Sequence, residues 1–366
     1  MTANVITVFV EDPGAANMVV GLGPELAAHG LSIDLWATGA ACDHLIARHT
    51  AFNDAGRERP SPRGVGLAVI GTSESPDTVG FEIAAQARAN GVVTVGLVDS
   101  PASAADRFRG TTNDPLAHLP EHLIVTDERT RAAFLDLGVP STRISIAANP
   151  ALLRARARAE TNMKLPRADR KKSLFGPGTN PVIVFLTELS DGLDPDAFRR
   201  ADDYTMTGRG GSDARTDIVL ETLLDVIQVL SPRPRLVLRL HPKEAPNAYD
   251  AYADEVDGIS TGGDPLDVCE AADLVIGMTT TLLSEARQLG QKVLSALPRA
   301  AERDWSAGIA TGDILCLTDP KDLAPTIAHM LAEPRQIPPA PVGAPLADVL
   351  ATLVTDRSRE TRTGTG

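Results

Sequence analysis

Three consecutive threonines, a histidine and a lysine that flank a proline, and two adjacent carboxylates draw attention in this 366-residue chain, because each group follows directly on an apolar run. "NVITVFV" stops at Glu11-Asp12-Pro13-Gly14 and "VVTVGLV" at Asp99. "PVIVFL" stops at Thr187-Glu188, "RLVLRL" at His241-Pro242-Lys243, and "DLVI" at Gly277-Met278-Thr279-Thr280-Thr281, with Glu285 shortly after. A carboxylate beside a substrate hydroxyl can take its proton; Asp12 is the first choice for that base, with Glu11 and Asp99 next. Gly14 lets backbone come close to a ligand. A Gly/Thr loop that opens a helix offers free N–H groups and hydroxyls to a phosphate. His241 and Lys243 stand in a proline-broken loop where a purely structural turn would more cheaply use Gly, Asn or Asp.

Each residue alone has a plainer reading. Asp and Thr favour turns and helix caps. Glu285 suits the solvated face of an amphipathic helix, and His241 can be a satisfied structural imidazole. Their joint recurrence at one edge of many strands is what speaks for a site.

The elements that must position them alternate. In the first half, "NVITVFV", "LSIDLWA", "VGLAVIGT", "VVTVGLVDSP", "HLIVTDE" and "RISIAANP" read as strands, separated by helical stretches such as "GFEIAAQARANG" and "RTRAAFLDLG". Strands that alternate with helices make a parallel sheet, and apolar strands without clean alternation make one covered on both faces. The rhythm breaks over 153–180, a basic, polar stretch ending in Gly and Pro, and restarts at "PVIVFLTE". The helix "DIVLETLLDVIQVL" follows, with Leu220, Leu223, Leu224 and Ile227 on one stripe. The organisation expected is an N-terminal Rossmann-like domain over 1–152, a linker over 153–180 and a second Rossmann-like domain over 181–345. A last helix and a disordered tail follow over 346–366, the helix crossing back to the first domain. The fold class expected is α/β, with two Rossmann-like doubly wound parallel-sheet domains facing a cleft. In such sheets ligands bind outside the carboxyl ends of the strands.

Composition narrows the function. A net charge of −13 argues against a sequence-independent grip on nucleic acid. The three cysteines, Cys42, Cys269 and Cys316, are far apart, so neither a disulfide framework nor a structural zinc site is expected, and a reducing cytoplasm fits. The N-terminus lacks a basic, then apolar, leader, and no run reaches the roughly 20 apolar residues of a membrane span.

"GMTTTLLSEARQLGQKVLSA" resembles the nucleotide-binding half of GT-B enzymes, and "LRLHPKE" the His-Pro strand end of the glycerophosphotransferase and sugar-nucleotide epimerase branches of that superfamily. The resemblance implies that Thr279, Thr280 and Thr281 face a diphosphate, that Glu285 takes the ribose hydroxyls and that His241 lies beside the diphosphate. Gly14, Thr187, Glu188, Lys243 and Gly277 would complete the nucleotide side. "TGRGGSDARTD", with Arg209 and Gly210, reads as an insertion or lid with phosphate-binding potential of its own. "EDPGAAN" departs from the opening loop of hydrolysing epimerases.

The function expected first is therefore a cytoplasmic, metal-independent glycosyltransferase. It would move a group from a nucleotide-activated sugar, a co-substrate rather than a bound cofactor, to a small-molecule or glycan acceptor. The alternatives are a sugar-nucleotide 2-epimerase or hydrolase, a CDP-glycerol-type glycerophosphotransferase, and a non-catalytic two-lobed binding protein. Peripheral membrane attachment and a homodimer both stay open.

Overall fold

The computed structural model describes residues 4–73, 75–100, 103–162, 167–190 and 198–363. The chain divides into two compact units, one formed by Met1–Leu153 with Pro341–Gly366, the other by Arg154–Ala340.

The first unit is built on a seven-stranded sheet of order β3-β2-β1-β4-β5-β6-β7. Its strands are β1 (Val5–Val10), β2 (Ser32–Ala37), β3 (Asn53–Asp54), β4 (Leu67–Gly71), β5 (Val93–Val98), β6 (His122–Val125) and β7 (Ile144–Ile146). All pairings are parallel. The near-continuous apolar character of β1 and β4 follows from burial on both faces. The second unit has a six-stranded parallel sheet of order β10-β9-β8-β11-β12-β13. Its strands are β8 (Val182–Leu186), β9 (Arg235–Arg239), β10 (Gly258–Ser260), β11 (Leu274–Gly277), β12 (Val293–Ala296) and β13 (Leu315–Leu317). Both units are doubly wound α/β domains, the class read from the strand–helix alternation.

Two stretches differ from the sequence reading. The presumed linker 153–180 is largely helical, over Pro150–Asn162 and Arg167–Phe175. Its basic side chains meet acids more than a hundred residues away: Arg158 bonds Asp264 at 3.0 Å and Glu270 at 3.0 Å, and Lys171 bonds Asp273 at 2.6 Å. A basic run looks like a solvated linker only while its counter-ions are out of sight in sequence. The last helix, Leu346–Thr363, continues well past Asp356, into the stretch read as a disordered tail. Arg357 bonds the carbonyl oxygens of Gly66, at 2.8 Å, and Gly91.

That helix belongs to the first unit's core: Leu346, Ala347 and Leu350 are buried with β1 and β4 residues such as Val8 and Val69. Leu350→Ala is expected to destabilise the first unit by about 2–5 kcal/mol, since it deletes a side chain with no exposed surface. Urea denaturation measures this, and a loss under about 1 kcal/mol would mean the helix is not part of that core.

Candidate functional site

In each sheet the strand order reverses at one place, and helices leaving in opposite directions open a crevice at the carboxyl ends there. In the first sheet the reversal lies between β1 and β4, in the second between β8 and β11. Most residues singled out above stand at these two places.

In the first unit, Asp12 leaves β1 and takes the N-cap position of helix Pro13–Val19, yet its side chain makes no capping hydrogen bond. It lines a cavity of about 370 Å³ together with Thr72, Ser73, Ser75, Asp99 and Arg107. Arg107 is the organising group here. It is buried, bonds Asp99 Oδ1 at 3.3 Å and donates to Thr72 Oγ1 at 3.0 Å, while Thr72 donates to the Leu97 carbonyl at 3.1 Å. One oxygen of Glu11 is buried without a hydrogen-bond partner. Gly14 has a steric role: a Cβ there would collide with Asp99 Oδ2, so only glycine lets that carboxylate lie against the start of the helix. The structure thus brings Asp12, Gly14 and Asp99 together around Arg107, which sequence reasoning missed. "ADRFRG" gives no periodic signal that Arg107 turns inward.

In the second unit, the ends of β8, β9 and β11 converge. Glu188 Oε1 accepts from the backbone N–H groups of Met278 at 3.2 Å, Thr279 at 2.6 Å and Thr280 at 2.7 Å. Its Oε2 accepts from Thr279 Oγ1 at 2.7 Å and from Arg215 Nη1 at 2.9 Å. Arg215 has no exposed surface and also donates through Nε to Glu302 Oε2 at 2.6 Å. Its guanidinium lies 5.3 Å from the Trp305 ring centroid, a cation–π contact. Arg299 Nε donates to the other Glu302 oxygen at 3.2 Å.

The two carboxylates that share Arg215 are driven in opposite directions. Burial alone would raise Glu188, but the Arg215 charge and the hydrogen bonds from Thr279, Arg215 and Thr280 outweigh it and hold the group below the usual carboxylate range. Glu302 is wholly buried, and there burial wins over Arg215 and Arg299 and pushes it up. Burial also works against the charge on Arg215, and the two glutamates hold it above its ordinary value.

His241 is fixed by its own loop. Its N–H donates to Glu244 Oε2 at 2.7 Å and to Thr187 Oγ1 at 3.1 Å, and the Lys243 N–H donates to His241 Nδ1 at 3.2 Å. Glu244 also accepts from Tyr249 at 2.7 Å and from the Thr187 hydroxyl. Burial pushes the imidazole below its ordinary value. In the neutral ring an accepting Nδ1 places the proton on Nε2, leaving that N–H as a donor. Lys243 is exposed.

The threonine loop differs from the expected picture of three hydroxyls facing a phosphate. Thr279 is engaged by Glu188 and Arg215, and Thr280 is the N-cap of helix Thr281–Gln288, accepting from the Leu282 N–H at 3.2 Å. Thr281 alone of the three is exposed. Gly277 ends β11 where a Cβ would press on Leu283 at 3.2 Å. Glu285 is 5% exposed and adds to the burial that pushes the Cys269 thiol up.

Arg209 and Gly210 are not brought to this crevice. Arg209 bonds Asp225 at 2.7 Å and Glu255 at 2.7 Å. Asp225 sits ten residues beyond Arg215 in helix Arg215–Gln228, which is about 15 Å along its axis.

Arg215, Glu302 and Glu244 were not singled out from the sequence, and Arg215 stands in the stretch read there as an insertion or lid, where a helix with a buried first residue begins instead. Arg215 carried a signal: it lies three and four residues before Ile218 and Val219, on the buried stripe of its helix. Among the described residues no group of three or more His, Cys, Asp or Glu side chains could hold a metal ion, and no helix is long and apolar enough to cross a membrane.

Neither a protein-family model nor a curated protein matches the chain. Solved structures do match its fold. A UDP-GlcNAc 2-epimerase from Methanocaldococcus jannaschii, in complex with UDP-GlcNAc and UDP, superposes with a TM-score of 0.66 at 10% identity, over 96% of this chain and 99% of that one. The UDP-GlcNAc 2-epimerase of Neisseria meningitidis, bound to UDP-GlcNAc, gives 0.62 at 11% identity, over 97% and 99%. A glycosyltransferase from Rickettsia africae gives 0.55 at 9% identity, over 97% and 94%. These are GT-B proteins, and the fold of this chain is the GT-B type that its motifs resembled.

Proposed function

We propose that this chain is an enzyme acting on a nucleotide-activated sugar, and that its reaction is of the 2-epimerase or hydrolase kind. That was the alternative in the sequence reading, where glycosyl transfer came first. It now leads because the neighbours with higher similarity are UDP-GlcNAc 2-epimerases. The observation that carries the reading is the first unit's cavity, where Asp12 and Asp99 meet around buried Arg107 at the switch point of a sheet.

Epimerisation next to an anomeric carbon can run by elimination and readdition. A base takes the C2 proton while the C1–O bond breaks and the nucleoside diphosphate leaves. The diphosphate then returns to C1, and a proton is delivered to the opposite face of C2. Hydrolysis follows if water adds at C1 instead. Such a path needs more than one carboxyl group near the sugar, to accept and to return protons. Asp12, whose oxygens are not used in capping, suits the base. Asp99 is held by Arg107, and Glu11 stands next in line. In the second unit, His241 Nε2–H, Lys243 and Thr281 are the groups presented to the leaving diphosphate. Glu285 is the proposed ribose ligand.

Incubation with UDP-GlcNAc in deuterium oxide, followed by proton NMR, tests the reaction. Epimerisation exchanges the C2 proton for deuterium, and hydrolysis releases free UDP. A parallel thermal-shift series against UDP, CDP, GDP, dTDP and ADP tests binding, since a ligand of the native state alone raises the melting temperature. UDP is expected to stabilise the protein, less so in His241→Ala and Glu285→Ala. If no nucleotide binds, the proposal fails. Transfer remains the second reading, favoured by the likeness to the Rickettsia africae glycosyltransferase. UDP binding without C2 exchange, and with turnover only on added acceptor, would select it.

A further inference from the structure

The crevice between β8 and β11 contains an anion already: the chain's own Glu188. Its Oε1 collects the three amide N–H groups of Met278, Thr279 and Thr280, the arrangement a phosphate oxygen would take at such a loop. A helix start alone would mean little. Here a second group points to the same place: Arg215, without exposed surface, reaches Glu188 Oε2 at 2.9 Å and the Thr279 hydroxyl at 3.3 Å. A buried guanidinium needs an anion beside it, and Glu302 supplies only one of the two carboxylates it touches.

We propose that Glu188 is a specificity-determining residue: its carboxylate fills this amide nest, so that a phosphate sits on the Met278–Thr280 amides only when that carboxylate is removed. A phosphate and the Glu188 carboxylate cannot share the nest, because two anions at hydrogen-bond distance of the same donors repel. The diphosphate of a nucleotide ligand is consequently left to side chains, His241, Lys243 and Thr281, while the backbone donors of the loop are spent on Glu188. The inference takes from the proposed function only the class of ligand, and its test needs no turnover.

The probes are inorganic pyrophosphate and formate. Calorimetry of pyrophosphate is compared for the natural chain, Glu188→Ala and Glu188→Ala with Arg215→Met. Removing the carboxylate frees three amides and leaves Arg215 one counter-ion short, so Glu188→Ala is expected to bind pyrophosphate about tenfold or more tightly than the natural chain, as charge-assisted hydrogen bonds allow. The added Arg215→Met abolishes the gain. Formate, which restores a carboxylate without the side chain, raises the melting temperature of Glu188→Ala and not that of the natural chain. A measurement on the natural chain alone guards against a variant that fails to fold. In amide-resolved NMR, the signals of Met278, Thr279 and Thr280 stay in place under pyrophosphate or UDP. Shifted amides in the natural chain, or a folded Glu188→Ala with no gain in pyrophosphate affinity, overturns the proposal. The C2-exchange assay is read separately, so failure of the enzyme reading leaves the pyrophosphate result standing, and the reverse also holds.

Discussion

Arg215→Met lowers the stability of the second unit by about 3–5 kcal/mol at neutral pH, the cost of leaving buried charge without its partner. Methionine fills much of the same length, so the loss reads charge and hydrogen bonding more than volume. Two carboxylates, Glu188 and Glu302, would face each other across the site of the missing cation, both bonded to it at 2.9 and 2.6 Å in the natural protein. The pH dependence has a definite sign. In the natural chain the Glu188 carboxyl is held below its ordinary value, so its contribution is present above the ordinary carboxylate range and fades as pH falls through its folded value. In the variant the opposing cation is gone, burial prevails, and the same group moves up. Its folded form is then favoured below the ordinary range and penalised as pH rises through the raised value. The difference between natural chain and variant therefore narrows on acidification. Glu302, already raised, moves further the same way. Urea denaturation at pH 7 and pH 5 measures both. A neutral-pH loss under about 1 kcal/mol, or a gap that widens in acid, would contradict this account of the triad. Arg215→Lys keeps the charge but not the fork, and should fall in between.

Asp12→Asn is expected to lower turnover by about 10²- to 10⁴-fold while nucleotide binding persists, the range that loss of a general base covers. The change is isosteric and takes no hydrogen bond from helix Pro13–Val19, because the Asp12 side chain makes none to it. A KM-against-kcat comparison, with the UDP thermal shift as a binding control, separates lost chemistry from lost structure. Asp99→Asn differs in kind. It weakens the partner of buried Arg107 at 3.3 Å and so disturbs cavity and stability together. If Asp12→Asn keeps natural turnover, the base lies elsewhere, and Glu11 with its unpartnered buried oxygen becomes the first candidate.

Local pattern was enough to read the fold class, because period and apolar content are properties of neighbouring residues. Runs such as Val5–Val10 and Val182–Leu186, each followed by a helical stretch, leave little besides parallel α/β sheets. It also shows which residues end those strands: Asp12 and Asp99 at the carboxyl edge of the first sheet, and Glu188, His241 and Thr279 at that of the second. What it could not decide was which of these side chains meet a ligand and which meet each other. Glu188 and Thr279 are 91 positions apart, and Arg215 and Glu302 are 87 apart. Nothing in either neighbourhood says that one carboxylate takes the backbone donors a phosphate would use. Separations of 112 and 102 positions hid the acids that hold the 153–180 helices, and Arg209 turned to Asp225 and Glu255, 16 and 46 positions on, rather than to the crevice. Strand order alone puts β8 beside β11. Only once those two ends are neighbours do electrostatics and burial select Arg215 as the counter-ion, and this is a property of the folded chain that no local pattern carries.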